Sequence, residues 1–190
     1  RTPSRTSRTP PNVFSQPLVP IGTAIAVTVL TLMATRFGHT GDHAAVLWIA
    51  NAVAAGMWLR TGRGLTFDLS FGGLMACGLA AGIFLAGHAP MDVAMLALAN
   101  LAEIFVAVLL VRRLAPGLRI VSVATGIRVL AALLLASVAA AVSGAVCLNL
   151  VFDLPLTAGA PLWFVGHALG LVIVTPLILA VDRKVLADLR

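Results

Sequence analysis

The stretch that decides the fold is residues 91–113, MDVAMLALANLAEIFVAVLLVRR. It contains an apolar run of about 20 residues, the length that an α-helix needs to cross the hydrocarbon core of a bilayer. Two arginines end the run, as is typical where a span reaches the cytoplasm. Asn100 and Glu103 interrupt it three residues apart and therefore share one helix face. The stretch predicts a transmembrane helix with one polar face.

The rest of the chain repeats this apolar pattern. Of its 190 residues, 60% are hydrophobic and 11% are charged, whereas soluble domains carry about 25% charged residues. The apolar runs lack the alternation of membrane β-strands. We therefore predict an all-α, polytopic membrane bundle of about six transmembrane helices. Their predicted ranges are about 18–36, 43–59, 69–87, 91–111, 127–151 and 160–181.

The basic residues predict the orientation, because cytoplasmic loops of membrane proteins collect Lys and Arg. One set of loops and ends holds Arg1, Arg5, Arg8, Arg60, Arg63, Arg112, Arg113, Arg119, Arg128, Arg183, Lys184 and Arg190. The opposite loops hold Arg36 together with Asp42, Asp92 and Asp153. Both termini should therefore be cytoplasmic. The same bias explains the net charge of +6 without a nucleic-acid partner.

Three regions are expected along the chain. Residues 1–16 are basic and rich in Ser, Thr and Pro, a composition typical of a disordered tail. Residues 17–182 hold the six predicted helices. Residues 183–190 are expected to start a cytoplasmic linker helix. Because the chain begins at Arg1 rather than Met, we expect a fragment, and because it stops at Arg190, just past an apolar run, we expect that a further domain could follow there.

Small residues predict where helices pack closely. GLAAG at 78–82 and GHALG at 166–170 are small-xxx-small pairs, which let backbones approach. The third helix, which is rich in glycine, is expected to be an inner helix. Pro176 removes a hydrogen bond to the carbonyl of Val172, so a kink is expected there, with that carbonyl met by Thr175 or by a neighbour.

Four polar residues lie at membrane depth, where ionisable groups are costly and often functional. Glu103 lies about twelve residues from the outer helix end, or about 18 Å. Asn51, Asn100 and His167 are expected in the same outer half. All four could converge on one polar pocket that opens outward and binds a small ligand, with Trp163 at its mouth.

Structural interpretations of these residues stay open. Either asparagine alone is typical of an interhelical hydrogen bond. His167 fits a packed core residue as well as a site residue. Trp48 and Trp163 could be interfacial anchors or could line the pocket mouth.

No cofactor, metal or catalytic site is predicted. The outer residues His39, Asp42, His43, His88, Asp92 and Asp153 could in principle bind zinc, but they lack a tight ligand spacing. A haem held by His88 and His167 is disfavoured because their depths do not match. Cys77 and Cys147 lie in apolar runs, where packing roles are expected. Phosphate-binding loops and nucleophile–base pairs are absent from the sequence, so this chain is not expected to be an enzyme by itself.

Three segments resemble the type-one membrane-associated sensor (MASE) family of bacteria. They are WIANAVAAGMWLR at 48–60, NLAEIFVAVLLVRRL at 100–114 and WFVGHALGLVIVTPLIL at 163–179. The resemblance spans about residues 20–182. It implies an inner-membrane sensory module that precedes a diguanylate cyclase, an EAL phosphodiesterase or a histidine kinase domain. Many members carry Asp at the position of His167.

Two functions follow as hypotheses. The first is a sensory input domain that detects a small ligand from the periplasmic side, regulates a C-terminal output domain and dimerises through it. The second is a solute-binding membrane subunit of an energy-coupling-factor uptake transporter, since six short helices in about 190 residues also fit that class.

Overall fold

Six α-helices form the part of the chain that the computed structural model describes, which is residues 18–37, 48–61, 64–116 and 122–181. The helices are α1 (Leu18–Phe37), α2 (Ile49–Thr61), α3 (Leu65–Leu85), α4 (Pro90–Leu114), α5 (Val123–Phe152) and α6 (Leu156–Ala180). Within these ranges no residue forms a β-strand. The predicted tail at 1–16 and linker at 183–190 lie outside the described residues.

Five of the helices are long and apolar enough to cross a membrane. The exception is α2, whose 13 residues extend about 20 Å at 1.5 Å per residue. The prediction of a polytopic helical membrane bundle is confirmed. The predicted start of the second helix, at residues 43–47, lies outside the described residues, and Trp48 itself is not helical.

The other helix bounds differ from the prediction by a few residues. Helix α3 begins at Leu65 rather than at 69, and α5 begins at Val123 rather than at 127. Ser122 explains the second difference, because its side chain caps α5 by accepting a hydrogen bond from the backbone N–H of Thr125. Polar residues in the first turns interrupt the apolar runs, so that apolar patterning alone places both helix starts too late in the sequence.

The glycines of the GLAAG motif allow α3 to pack directly against α1. A Cβ at Gly78 would lie 2.8 Å from the carbonyl oxygen of Ala24, and one at Gly82 would lie 2.7 Å from that of Thr28. Only hydrogen at these positions allows such an approach, as the small-xxx-small pattern predicts.

The innermost helix is α2 and not the glycine-rich α3. Eight of the thirteen α2 residues are buried, and the helix packs on α1, α4 and α6. Helix α3 packs mainly on α1 and α4 and exposes large side chains such as Leu69 and Phe84. The glycines of α3 therefore mark close contacts with α1 and with Trp58 of α2 rather than a central position.

Helix α6 lies along α2. The Thr175 hydroxyl donates to the carbonyl of Ala52, 3.2 Å away, so it does not meet the Val172 carbonyl that Pro176 leaves free. A Cβ at Gly56 would meet the Ile178 side chain at 2.9 Å. These contacts hold the two helices together along most of the length of α2.

Candidate functional site

Four buried polar side chains from three helices meet in the bundle. Asn51 comes from α2, Asn100 and Glu103 from α4, and His167 from α6. Their exposed fractions are 0%, 1%, 1% and 5%. We call these four residues the polar cluster. The three-residue spacing on α4 directs Asn100 and Glu103 to the same side, towards α2 and α6.

Asn51 is the centre of the hydrogen-bond network. Its Nδ2 group donates to Asn100 Oδ1 at 2.9 Å and to Glu103 Oε2 at 2.6 Å. Its Oδ1 accepts from the indole N–H of Trp48 at 3.0 Å. Asn100 in turn donates to the Leu96 carbonyl at 2.7 Å. Asn51 therefore links α2 to α4 through its amide nitrogen and holds the Trp48 indole through its amide oxygen.

Glu103 and His167 form the ionisable part of the polar cluster. Glu103 Oε2 contacts His167 Nδ1 directly. An imidazole nitrogen and a carboxylate oxygen make this contact only with a hydrogen between them. The pair therefore places a hydrogen-bonded carboxyl–imidazole couple inside the bundle.

Two indoles enclose the His167 ring. The Trp48 ring is parallel to it within 5°, with centroids 5.3 Å apart. The Trp163 ring also stacks on the imidazole, with centroids 4.4 Å apart and an angle of 20° between the ring planes. Trp163 fits because α5 has glycine beneath it: a Cβ at Gly144 would lie 2.0 Å from the indole. We call Trp48 and Trp163 the indole clamp.

Two buried polar atoms at the site lack a hydrogen-bond partner. They are Glu103 Oε1 and Trp163 Nε1. A buried polar group without a partner costs about 1–3 kcal/mol. The site therefore retains one free acceptor and one free donor beside a fully enclosed acid–base pair.

The predicted residues do come together. All five predicted binding residues, Asn51, Asn100, Glu103, Trp163 and His167, lie at this one site. Trp163 is 6% exposed and packs inside the bundle, so it is not an interfacial anchor. The sequence left the role of Trp48 open, and its partly buried ring completes the clamp.

A second polar group lies at the other end of the bundle, and the sequence analysis missed it. Arg112 forms a two-pronged salt bridge with Asp68, with both N–O distances 2.9 Å. The Trp58 indole N–H also donates to Asp68, at 2.7 Å. This group joins α2, α3 and α4. The sequence signal for this group was Asp68, an aspartate in the first turn of the apolar helix α3.

The metal and haem alternatives gain no support from the described residues. Among residues 18–37, 48–61, 64–116 and 122–181, no three His, Cys, Asp or Glu side chains group as metal ligands. His39, Asp42 and His43 lie outside those ranges. His88 packs edge-on against Phe152, whereas His167 lies in the indole clamp.

The comparisons with known proteins identify one family. No curated protein and no solved structure matches the chain. The model of the MASE1 family matches residues 17–187, which is nearly the whole chain and includes the polar cluster and the indole clamp. MASE1 is a membrane-associated sensor domain of signalling proteins. The chain belongs to the MASE1 family.

Proposed function

We propose that this chain is the input domain of a bacterial inner-membrane signalling protein, and that the polar cluster senses a small ligand from the periplasmic side. The observation that carries the proposal is the Glu103–His167 pair, enclosed between three helices with a spare carboxylate oxygen. Ionisable groups at membrane depth are expensive and mark functional sites. Family membership supports the sensor over the uptake-transporter alternative.

The proposed signal is a change in helix packing. A ligand can shift an equilibrium between two packings only if it binds them with different affinities. Asn51, Glu103 and His167 come from three different helices, so a ligand that changes their hydrogen bonds changes how α2, α4 and α6 fit together. Helix α6 leads towards the C-terminus. A dimeric cytoplasmic diguanylate cyclase, phosphodiesterase or histidine kinase domain would respond to the shift at the C-terminal end of α6.

The experiment substitutes Glu103→Gln in the full-length protein and measures the activity of its output domain in membranes. Gln has the size of Glu but cannot form the ion pair. Allosteric coupling commonly amounts to roughly 5–150-fold, so we expect the difference in output between stimulated and resting cells to fall at least about fivefold.

Asp92→Asn is the matched control, because it makes the same carboxylate-to-amide change in the first turn of α4. This variant should respond like the parent protein. A Glu103→Gln protein that is present in the membrane at normal levels and responds normally would exclude the polar cluster as the sensing site.

A further inference from the structure

The indole clamp holds His167 in the way that aromatic cages hold a cation. Both indole centroids lie within 5.3 Å of the imidazole centroid, inside the range of about 6 Å over which a cation is attracted to an aromatic face. The carboxylate of Glu103 touches the same ring. Two aromatic faces and a carboxylate are the elements that recognise organic ammonium groups.

The His167 ring fills the space between these side chains. We call this space the slot, and the imidazole shows its size and shape. The slot is bounded by the Trp48 ring, the Trp163 ring and the Glu103 carboxylate, all of which contact the imidazole. Glu103 uses Oε2 for His167 and Asn51, whereas its Oε1 has no partner and is buried. That free oxygen can accept a hydrogen bond from a ligand, or attract its positive charge, before His167 leaves.

The clamp also reaches towards the outer surface. Trp163 is buried, but Trp48 is only partly buried and belongs to the non-helical chain that enters α2. Asp153 lies at the same end of the bundle, directly after α5. Negative charges near an entrance raise the local concentration of cations.

The geometry points to a small organic cation, such as an amine or a quaternary ammonium compound, as the ligand of this site, with His167 as the internal group that it displaces. This inference rests on the proposed sensory function and names its ligand class. The cation takes the place of the imidazole between the indoles and on Glu103. His167, on α6, is released from α2 and α4, which changes the packing of α6 directly.

The experiment uses the purified chain in lipid nanodiscs and three probes: ethylammonium, choline and 3,3-dimethyl-1-butanol. The last is a neutral analogue of choline with nearly the same shape. Binding is followed by titration calorimetry and by tryptophan fluorescence. Two of the three tryptophans, Trp48 and Trp163, are in the clamp. At least one cationic probe should bind saturably and change the fluorescence, and the alcohol should not.

Two variants test the displacement. Glu103→Gln should weaken cation binding at least about tenfold, because the charge that balances the cation is gone. His167→Ala should strengthen it about tenfold, because an occupied slot lowers apparent affinity in proportion to the fraction that is open. Circular dichroism checks that both variants keep the helical content of the parent.

Equal binding of choline and its neutral analogue, or no binding of either cation, would overturn the inference even if no variant folds. So would cation binding that Glu103→Gln leaves unchanged. The proposed function fails separately, if substitutions in the polar cluster leave the output of the full-length protein unaltered. If the output depends on the polar cluster but the protein does not bind cations, only the ligand class is overturned.

Discussion

Asn51 is the residue on which the polar cluster depends most. Its amide donates to Asn100 and Glu103 and accepts from Trp48, so one side chain connects two helices and the clamp. In a membrane, interhelical hydrogen bonds between polar side chains average less than about 1 kcal/mol. Removing Asn51, however, takes a hydrogen-bond partner from Asn100, Glu103 and Trp48 at once.

We therefore expect Asn51→Ala to destabilise the protein by about 2–3 kcal/mol, since each buried polar group left without a partner costs about 1–3 kcal/mol. Asn149→Ala is the control. Asn149 is also helical but makes one hydrogen bond, to the Leu154 carbonyl, so its loss should cost about 1 kcal/mol. Reversible unfolding in mixed detergent micelles measures both. Equal losses would show that the network around Asn51 adds no stability.

Residue spacing and depth were enough to predict which polar side chains meet. Asn100 and Glu103 share a face by helix geometry, and depth along each span matched Asn51 and His167 to them. The stacking of Trp163 on His167 could not be predicted in this way. It depends on Gly144 of α5, a residue on another helix whose rotation no single-helix pattern specifies.

At the scale of elements, the GHALG motif illustrates what a pattern predicts and what it omits. The pattern predicts close backbone approach at Gly166 and Gly170. The backbone that approaches is the non-helical residue Trp48: its N–H donates to the Gly166 carbonyl at 3.0 Å. Its own carbonyl oxygen would lie 2.2 Å from a Cβ at Gly170. The motif thus positions one indole of the clamp.

Gly170→Ala should consequently disrupt the site. A methyl group cannot occupy a space 2.2 Å from a backbone oxygen, so the chain at Trp48 must move away from α6. Gly73→Ala is the control, because a Cβ there meets nothing within 4 Å and Ala is favoured over Gly in helices by about 1 kcal/mol.

Thermal unfolding in detergent should show Gly170→Ala losing about 2–4 kcal/mol, the range for overpacking and backbone strain together. Gly73→Ala should be unchanged or slightly more stable. Tryptophan fluorescence, to which Trp48 contributes, gives a second readout, which should change only in Gly170→Ala. A Gly170→Ala protein with parental stability and fluorescence would contradict the tight crossing of Trp48 over α6.

The Asp68–Arg112 pair shows why part of the structure escaped prediction. Arg112 was interpreted only as a cytoplasmic charge that orients α4. Its partner Asp68 lies 44 residues away in sequence, at the start of an apolar run. Pairing across such a distance depends on how α3 and α4 align, which periodicity within either helix does not determine.

At the scale of the whole molecule, α2 connects the two ends of the bundle. Near its start, Asn51 joins the polar cluster. Near its end, Arg60 donates to the Ile178 carbonyl of α6, and Trp58 joins the Asp68–Arg112 pair. A rigid helix bonded at both ends moves as a unit. In the proposed mechanism, α2 would transmit a rearrangement at the polar cluster to the last turn of α6.

The arginines predict that this second end of the bundle is cytoplasmic. Arg60, Arg112 and Arg113 lie at the ends of α2 and α4, and Arg128 lies in the first two turns of α5. Only Arg36, among the arginines of the described ranges, lies at the opposite end, where it contacts the Leu85 carbonyl. Such an imbalance predicts that the α4–α5 connection is cytoplasmic and the α3–α4 connection periplasmic.

Single-cysteine labelling tests this orientation. In a protein with Cys77→Ala and Cys147→Ala, Ala89→Cys marks the α3–α4 connection and Ser122→Cys marks the start of α5; both native positions are exposed. A membrane-impermeant maleimide should label Ala89→Cys in intact spheroplasts and Ser122→Cys only after permeabilisation. Because the 25-residue α4 separates the two positions by about 37 Å at 1.5 Å per residue, they cannot share a side if α4 spans. The reverse labelling order would place the polar cluster nearer the cytoplasm and make its ligand a cytoplasmic one.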